Sequence, residues 1–230
     1  MTHKRLNLEE AARFLTLTPK DLRAMAMAGE IPCQTQGDRL LFEQATLDLW
    51  LSRQMVLQRN DTKSFTRQTH ADTIVSLSGL LPADCVSASL SGKTRSAILV
   101  ELVNLAKASG LLYNPSDLLE QLRQREEQGS TAMDNGAALV HPAERDEYLF
   151  EAPFICLARA ARPVFFGEIN GQPTDLFFLI GCEDSDLHVK ILGKLCLLFN
   201  ETSLLADLRM AEDADEMRAA LASAEQNLKI

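Results

Sequence analysis

The spacing of apolar residues changes character along the chain and splits it into two parts. In the first part the spacing is helical and the segments are short. Asn7 stands in a capping position before Leu8, Ala11, Ala12, Phe14 and Leu15, which fall on one side of a helix. Thr18-Pro19 then offers a cap and a proline at the first position of a second helix, which stops at Gly29. Two short helices joined by so tight a turn form a helix-turn-helix. Gly37-Asp38 reads as a hairpin turn between short extended segments, and a last helix over 43–58 buries Leu47, Trp50, Leu51 and Met55. Residues 59–76 are polar and nearly free of large apolar side chains, which predicts a linker. The expected organisation is therefore a small domain over 1–58, a linker over 59–76 and a larger domain over 77–230.

The larger part alternates helical and extended patterns. Helices are predicted over 94–109, ending at Gly110, and over 114–129, opened by Asn114-Pro115 and closed by Gly129. Strands are predicted over 136–141, 154–158 and 174–182. The run Leu176-Phe-Phe-Leu-Ile180 is apolar on both faces, as a central covered strand is. Leu187, Ile191, Leu195 and Leu198 mark a helix over 186–199, and a final helix occupies 213–228. The fold class is α/β, a mixed sheet flanked by helices, with a small helix-turn-helix domain ahead of it. No internal repeat is visible.

Composition narrows the function. With 230 residues, 46% hydrophobic and 24% charged, the chain is an ordinary globular protein, which excludes collagen-like, mucin-like and wholly disordered classes. No apolar run reaches the roughly 18 residues of a membrane span, and no apolar stretch follows the basic residues at the start. A cytoplasmic protein without membrane insertion is expected. The five cysteines are odd in number and contain no C-x-x-C, so neither a disulfide framework nor a zinc site is expected; Cys156, Cys182 and Cys196 sit in apolar company. Charge is uneven. Residues 1–70 hold ten basic and eight acidic side chains, and residues 71–230 hold thirteen and twenty-four. The acidic part should repel nucleic acid and anionic membranes.

Among motifs, Ser91-Gly-Lys-Thr94 hints at a phosphate loop, but the glycine required five residues before Gly92 is Ser87, and capping of the next helix by Ser91 explains it better. H-E-x-x-H and G-x-S-x-G are absent. Of the four histidines, His3 and His70 lie in a terminus and a linker. His141 ends an apolar strand and His188 stands in the first turn of a helix, a pairing that suits an anion but equally suits two structural histidines.

The surrounding residues carry more. Arg125-Glu-Glu-Gln-Gly-Ser-Thr131, then Asp134-Asn-Gly-Ala-Ala-Leu-Val-His141, closely resembles the active-site segment of type 2 enzyme IIA domains of the bacterial phosphotransferase system, the mannitol/fructose and nitrogen-regulatory class. Arg162-Pro-Val-Phe-Phe-Gly-Glu-Ile-Asn-Gly-Gln-Pro-Thr-Asp-Leu-Phe-Phe-Leu-Ile180 resembles a second signature of that family, and Asp186-Leu-His188 falls where the family has its second histidine. The likeness runs over about 77–228. It implies His141 as phospho-acceptor, His188 as its neighbour and Arg125 as the counter-charge to phosphate, with Ser130, Thr131 and Asn135 shaping the loop. It also implies a histidine phosphocarrier protein of the HPr type as donor, a IIB domain or a regulated protein as further partner, and no metal or cofactor. The chain departs from the family where Ala132-Met133-Asp134 replaces a glycine-rich G-I-G, which sets a carboxylate near the expected phosphate, and Val140 replaces a proline. Glu144, Asp146 and Glu147 add acid beyond His141.

Residues 4–52 resemble excisionase-type, MerR-like winged helix-turn-helix domains through Leu6-Asn-Leu-Glu-Glu-Ala-Ala-Arg-Phe-Leu15, Gly29-Glu-Ile-Pro32, Gly37-Asp-Arg-Leu-Leu-Phe42 and Leu47-Asp-Leu-Trp-Leu51. This implies a recognition helix over 19–28, with Lys20 and Arg23 as DNA contacts and Arg39 on a wing. Seven basic residues against seven acidic ones over 1–58 make no electrostatic footprint, and Ala24, Met25, Ala26 and Met27 leave the helix poor in base-reading groups. Three uses stay open: a phosphorylation-dependent regulator that binds DNA or protein, a sugar-transport phosphotransferase component, and a non-phosphorylated interaction protein.

Overall fold

A computed structural model describes residues 5–15, 17–37, 39–44, 46–47, 50–51, 75–143, 148–167 and 171–228. The chain forms two compact units, Met1–Thr73 and Ile74–Ile230.

The N-terminal unit holds β1 (Arg5–Leu6), α1 (Leu8–Phe14), α2 (Pro19–Ala28), β2 (Gln34–Gln36) and β3 (Arg39–Glu43). Its helices start where the sequence signals place them. Asn7 Oδ1 accepts from the Glu9 and Glu10 amides at 2.9 Å while Glu10 returns a bond to the Asn7 amide at 2.8 Å, a reciprocal capping box. Thr18 caps α2 with Pro19 in its first turn. The strands make an antiparallel sheet in the order β1-β3-β2. Strand β1 was not foreseen, because two residues are too few to show a period. Ala11, Phe14, Leu15, Leu22, Ile31 and Phe42 are buried in this unit, as are Leu47 and Leu51. Trp50 donates to the Glu30 carbonyl at 2.7 Å. Most of the helix expected over 43–58, Met55 included, and residues 59–74 of the expected linker lie outside the described residues.

The C-terminal unit holds β4 (Val86–Leu90), α3 (Arg95–Ala108), α4 (Pro115–Gln128), β5 (Ala137–Val140), β6 (Phe154–Val164), β7 (Thr174–Gly181), α5 (Ser185–Glu201), α6 (Leu204–Met210) and α7 (Ala214–Asn227). The sheet order is β4-β6-β7-β5, with β4 parallel to β6, β6 antiparallel to β7 and β7 parallel to β5. Helix α3 packs on β4 and β6, α4 on α3, α7 on β4 and α6 on β7. Every residue from Leu176 to Ile180 is fully buried, which is why that run lacks a polar face. Strand β4 and helix α6 escape the periodicity reading: Val-Ser-Ala-Ser-Leu holds a single β-branched residue and no aromatic one, and α6 spans only seven residues. Thr94, rather than Ser91, caps α3. Ser91 and Gly92 instead give their amides to Glu101, at 3.0 and 3.2 Å, so a carboxylate from the protein fills the loop that suggested phosphate. Among the described residues no helix is long and apolar enough to cross a membrane.

Candidate functional site

Two neighbouring parallel strands bring the histidines together. Val140, the last residue of β5, lies in register with Leu179 of β7; His141 follows the first strand, and His188 stands in the opening turn of α5 just after the second. Both therefore sit at the carboxyl end of the sheet, where ligands of open α/β folds are bound. The imidazole centroids are 4.9 Å apart with planes inclined by 67°. His141 and His188 are 1% and 2% exposed.

Arg125 reaches this pair from the last turn of α4 and is itself 1% exposed. Its Nε donates to His141 Nε2 at 3.0 Å, and its Nη1 donates to the Gly129 carbonyl at 2.8 Å. Gly129 ends the helix at φ 154, ψ 141, a conformation essentially reserved for glycine. The backbone thus turns at once and presents its carbonyl to the guanidinium.

The proton on His141 follows from its partners. Nδ1 lies 2.9 Å from the Leu139 carbonyl, which can only accept, so Nδ1 carries hydrogen. The guanidinium can only donate, so Nε2 presents its lone pair. Together the two contacts define one neutral tautomer with the Nε2 lone pair turned to Arg125.

The segment from 129 to 141 is a tight hairpin. The Leu139 amide donates to the Thr131 carbonyl at 3.2 Å, the Met133 amide to the Ala137 carbonyl at 2.8 Å, and Ala132 bridges Ala138. Ser130 and Thr131 consequently lie at the His141 end, whereas Asp134 and Asn135 form the tip at the other end. Asn135 does not join the site: its Oδ1 accepts from the Ala137 amide at 3.1 Å, and its carbonyl accepts from Arg209, which also grips Asp175 at 2.7 Å. Asp134 is exposed. The four residues of β5 rise about 3.3 Å each, so roughly 13 Å separates the hairpin tip from His141. The expected clash between this carboxylate and a phosphate is therefore corrected: of the two replaced glycine positions, Asp134 stands at the remote tip and Ala132 pairs with Ala138 along the hairpin. Glu144, Asp146 and Glu147 lie outside the described residues.

Thr131 does not face the imidazole pair either; it faces a carboxylate of the protein. Its hydroxyl and its amide both donate to Glu126, the amide at 3.3 Å to Oε2, with Thr131 and Glu126 4% and 3% exposed. Burial pushes the Glu126 carboxyl above its ordinary range, against the pull of the Thr131 bonds and of the Arg125 and Arg95 charges. Glu126 is the supporting residue that the sequence reading passed over. A carboxylate in the last turn of a helix opposes the helix dipole, and that position was the available signal. Ser130 accepts from the Ala132 amide at 3.1 Å and packs on Gly167, where a Cβ would meet its hydroxyl at 1.7 Å. At the start of α5 the Asp184 carboxylate accepts from the Leu187 amide at 2.7 Å, so part of the helix N-terminus is already spoken for. A cleft of about 450 Å³ beside Gly167 includes Arg95, Phe165 and Phe166 but neither histidine. Lys20, Arg23 and Arg39 are exposed in the N-terminal unit, the first two on α2 and the third opening β3. Among the described residues no group of three His, Cys, Asp or Glu is placed to hold a metal.

Comparison with known proteins places this site in context. Residues 79–224 match the family described as "Phosphoenolpyruvate-dependent sugar phosphotransferase system, EIIA 2". A nitrogen regulatory protein of Bradyrhizobium diazoefficiens is 31% identical over 150 residues, 64% of this chain and 94% of the relative; that of Escherichia coli is 27% identical over 152 residues, 65% and 91%. The crystal structure of nitrogen regulatory protein IIA-Ntr from Neisseria meningitidis superposes with a TM-score of 0.56 at 25% identity, covering 63% of this chain and 97% of that one. IIA mannitol from Escherichia coli, at 17% identity, shares the fold with a TM-score of 0.55 over 62% of this chain and 99% of its own.

Proposed function

The chain belongs to the EIIA 2 family of the phosphoenolpyruvate-dependent sugar phosphotransferase system, and from that premise we propose a cytoplasmic regulator in which His141 accepts a phosphoryl group from a histidine phosphocarrier protein of the HPr type. The observation that carries this reading is the single tautomer of His141, with Nδ1–H on the Leu139 carbonyl and the Nε2 lone pair held by Arg125. Nε2 attacks the phosphorus of the donor's phosphohistidine in line. The donor's P–N bond breaks as the new one forms, and the electron pair leaves with the donor imidazole. Nδ1–H stays on the ring, so the positive charge that develops there meets a carbonyl dipole. The Arg125 Nε–H, released from the lone pair, turns to the phosphoryl oxygens, for which a guanidinium fork is well shaped. His188, at 4.9 Å, lines the other side of the acceptor. Positioning and electrostatics do the work, with no metal step.

The N-terminal unit is the output module in this proposal, a winged helix-turn-helix with α2 as the recognition helix and β2–β3 as the wing. The nitrogen regulatory relatives are spanned over nine-tenths of their length by about two thirds of this chain, and the family match begins at residue 79, so this unit is an addition to the matched part. The capped α1–α2 pair and the β2–β3 hairpin support the reading, and Lys20, Arg23 and Arg39 are its DNA-facing cations. One observation favours a protein partner instead, a IIB domain or a regulated protein: the seven-to-seven charge balance over residues 1–58.

Incubating the chain with phosphoenolpyruvate, enzyme I and the phosphocarrier, then weighing it intact beside His141→Ala, tests the first part. Gain of one phosphoryl group by the wild type alone is expected; no gain with a cognate donor overturns the proposal. Retention of duplex DNA that weakens steeply with salt is expected of the second part. Salt-independent or absent retention leaves the protein-binding reading.

A further inference from the structure

Outside the phosphoryl site, two buried thiols meet at the edge of the sheet. Cys85 immediately precedes β4 and Cys156 lies within β6, and the parallel pairing of these strands sets Val86 against Leu157. Cys85, the last residue of the turn that leads into β4, and Cys156, which precedes Leu157 in β6, extend this register by one residue, and the Cys156 thiol hydrogen-bonds that of Cys85. Adjacent strands lie about 4.8 Å apart, inside the roughly 4.4–6.8 Å between α-carbons that a disulfide spans. Both side chains are fully buried, and the Cys85 Sγ points at the Leu105 carbonyl of α3, 3.7 Å away. Each thiol feels the other. A hydrogen bond from Cys156, reinforced by Ser109, holds the Cys85 thiol below its ordinary range despite burial, while burial and the neighbouring Cys85 hold Cys156 well above it.

We propose that Cys85 and Cys156 form a peroxide-responsive dithiol that closes to a disulfide between the turn leading into the edge strand β4 and the central strand β6. The two sulfurs divide the work. Cys85, on losing its proton, attacks one oxygen of hydrogen peroxide; the O–O bond breaks, leaving a sulfenic acid on Cys85 and releasing hydroxide, which takes up that proton as water. The Cys156 thiol then attacks that sulfur. An S–S bond forms, and the sulfenic hydroxyl leaves as water with the Cys156 proton. Two thiols are oxidised, and one peroxide is reduced to water.

The route in is local. Cys85 closes a single 3-10 turn, Ala83–Cys85, whose other two residues are exposed, and its amide is bonded to the Pro82 carbonyl at 3.0 Å. Strand β4 is an end strand of the sheet. Opening this turn exposes Cys85 without unfolding β6. The ring so closed encloses α3, α4 and β5, and with them Arg125 and His141. The other cysteines differ. Cys33 is half-buried in the other unit, Cys182 points at the Asp184 carbonyl, and burial alone pushes Cys196 up to about 12.

The test uses the full native chain. After excess hydrogen peroxide and alkylation of remaining thiols, a non-reducing peptide map is expected to join the Cys85 and Cys156 peptides, with an intact mass lower by two hydrogens and full reversal by dithiothreitol. Oxidation should raise the thermal midpoint of the wild type and not of Cys156→Ser. In that variant Cys85 should stop at the sulfenic acid and be trapped by dimedone. The inference is overturned if Cys85 and Cys156 both remain alkylatable while Cys33 oxidises, if either pairs elsewhere, or if the cross-link needs denaturant. The wild-type map decides the matter even if the variant fails to fold.

Discussion

Replacing Thr131 with valine keeps the side-chain shape and removes one hydroxyl, so it isolates the bond that ties the 129–141 hairpin to α4. That hydroxyl donates to a carboxylate 3% exposed, and the Thr131 amide that remains is 3.3 Å from Glu126 Oε2, a long contact. A hydrogen bond to a charged group contributes about 1.5–3 kcal/mol, and Glu126 cannot recover the loss from water while buried. The expected cost is therefore about 2 kcal/mol at neutral pH, confined to the C-terminal unit. Its pH dependence carries the sharper test. The lost bond works against burial in setting the proton affinity of Glu126, so the substitution pushes that carboxyl higher still in the folded state. The folded state then binds a proton over a wider range than the unfolded chain, and the deficit grows as pH rises from the ordinary carboxylate range through the raised one. Urea unfolding followed by far-ultraviolet circular dichroism reads the helices of this unit. The lone tryptophan, Trp50, lies in the N-terminal unit, so its fluorescence is an internal control. With a urea slope of about 1–3 kcal/mol per molar, the dichroism midpoint should fall by roughly 1 M while the fluorescence midpoint stays put. A dichroism shift under about 0.3 M, or the same shift at both ends of that range, refutes the claim that this hydroxyl supports the buried Glu126 carboxylate.

Three further substitutions separate the parts of the site. Arg125→Lys keeps the charge but loses the Nε donor to His141 and the planar fork; the initial rate of phosphoryl gain by intact mass should fall about 10²–10³-fold with circular dichroism unchanged, and a fall below tenfold contradicts the assigned role. Asp134→Asn should leave that rate within about 2-fold, because an exposed charge farther away than a Debye length of about 8–10 Å is screened; a tenfold increase means the carboxylate does face the phosphoryl group. Glu126→Gln should flatten the stability profile. Burial raises the folded carboxyl above its unfolded value, so the wild type loses stability as pH climbs from the ordinary carboxylate range through the raised one, and the amide has no proton to lose. Urea midpoints measured across that window should slope downward with pH for the wild type and less for the variant, and parallel slopes exclude Glu126 as the source.

How far the sequence could be read depended on whether each residue's role was local. Asn7, Thr18, Asn114 and the Asn114-Pro115 start act through their own turns, and each caps the helix expected of it. The pairing of His141 with His188 needed one non-local fact, that β5 and β7 run parallel side by side; the family pattern supplied it and periodicity did not. Asn135 and Asp134 failed for a related reason. Both are close to His141 in sequence, but a strand moves along one direction, so six or seven residues upstream, across a tight hairpin, becomes the far end of β5. Glu126 shows the opposite case, since it stands next to Arg125 yet serves a different partner: successive helix residues point about 100° apart, so Arg125 turns to the imidazole and Glu126 to Thr131. The Arg-Glu pair is thus two supports for one imidazole. Arg125 holds the lone pair directly, while Glu126 anchors the hairpin strand whose Thr131 carbonyl receives the Leu139 amide, and it is the Leu139 carbonyl that fixes the proton on His141. An unsupported hairpin would free Leu139 and with it the tautomer, so the stability of this loop and the reactivity of His141 should fail together.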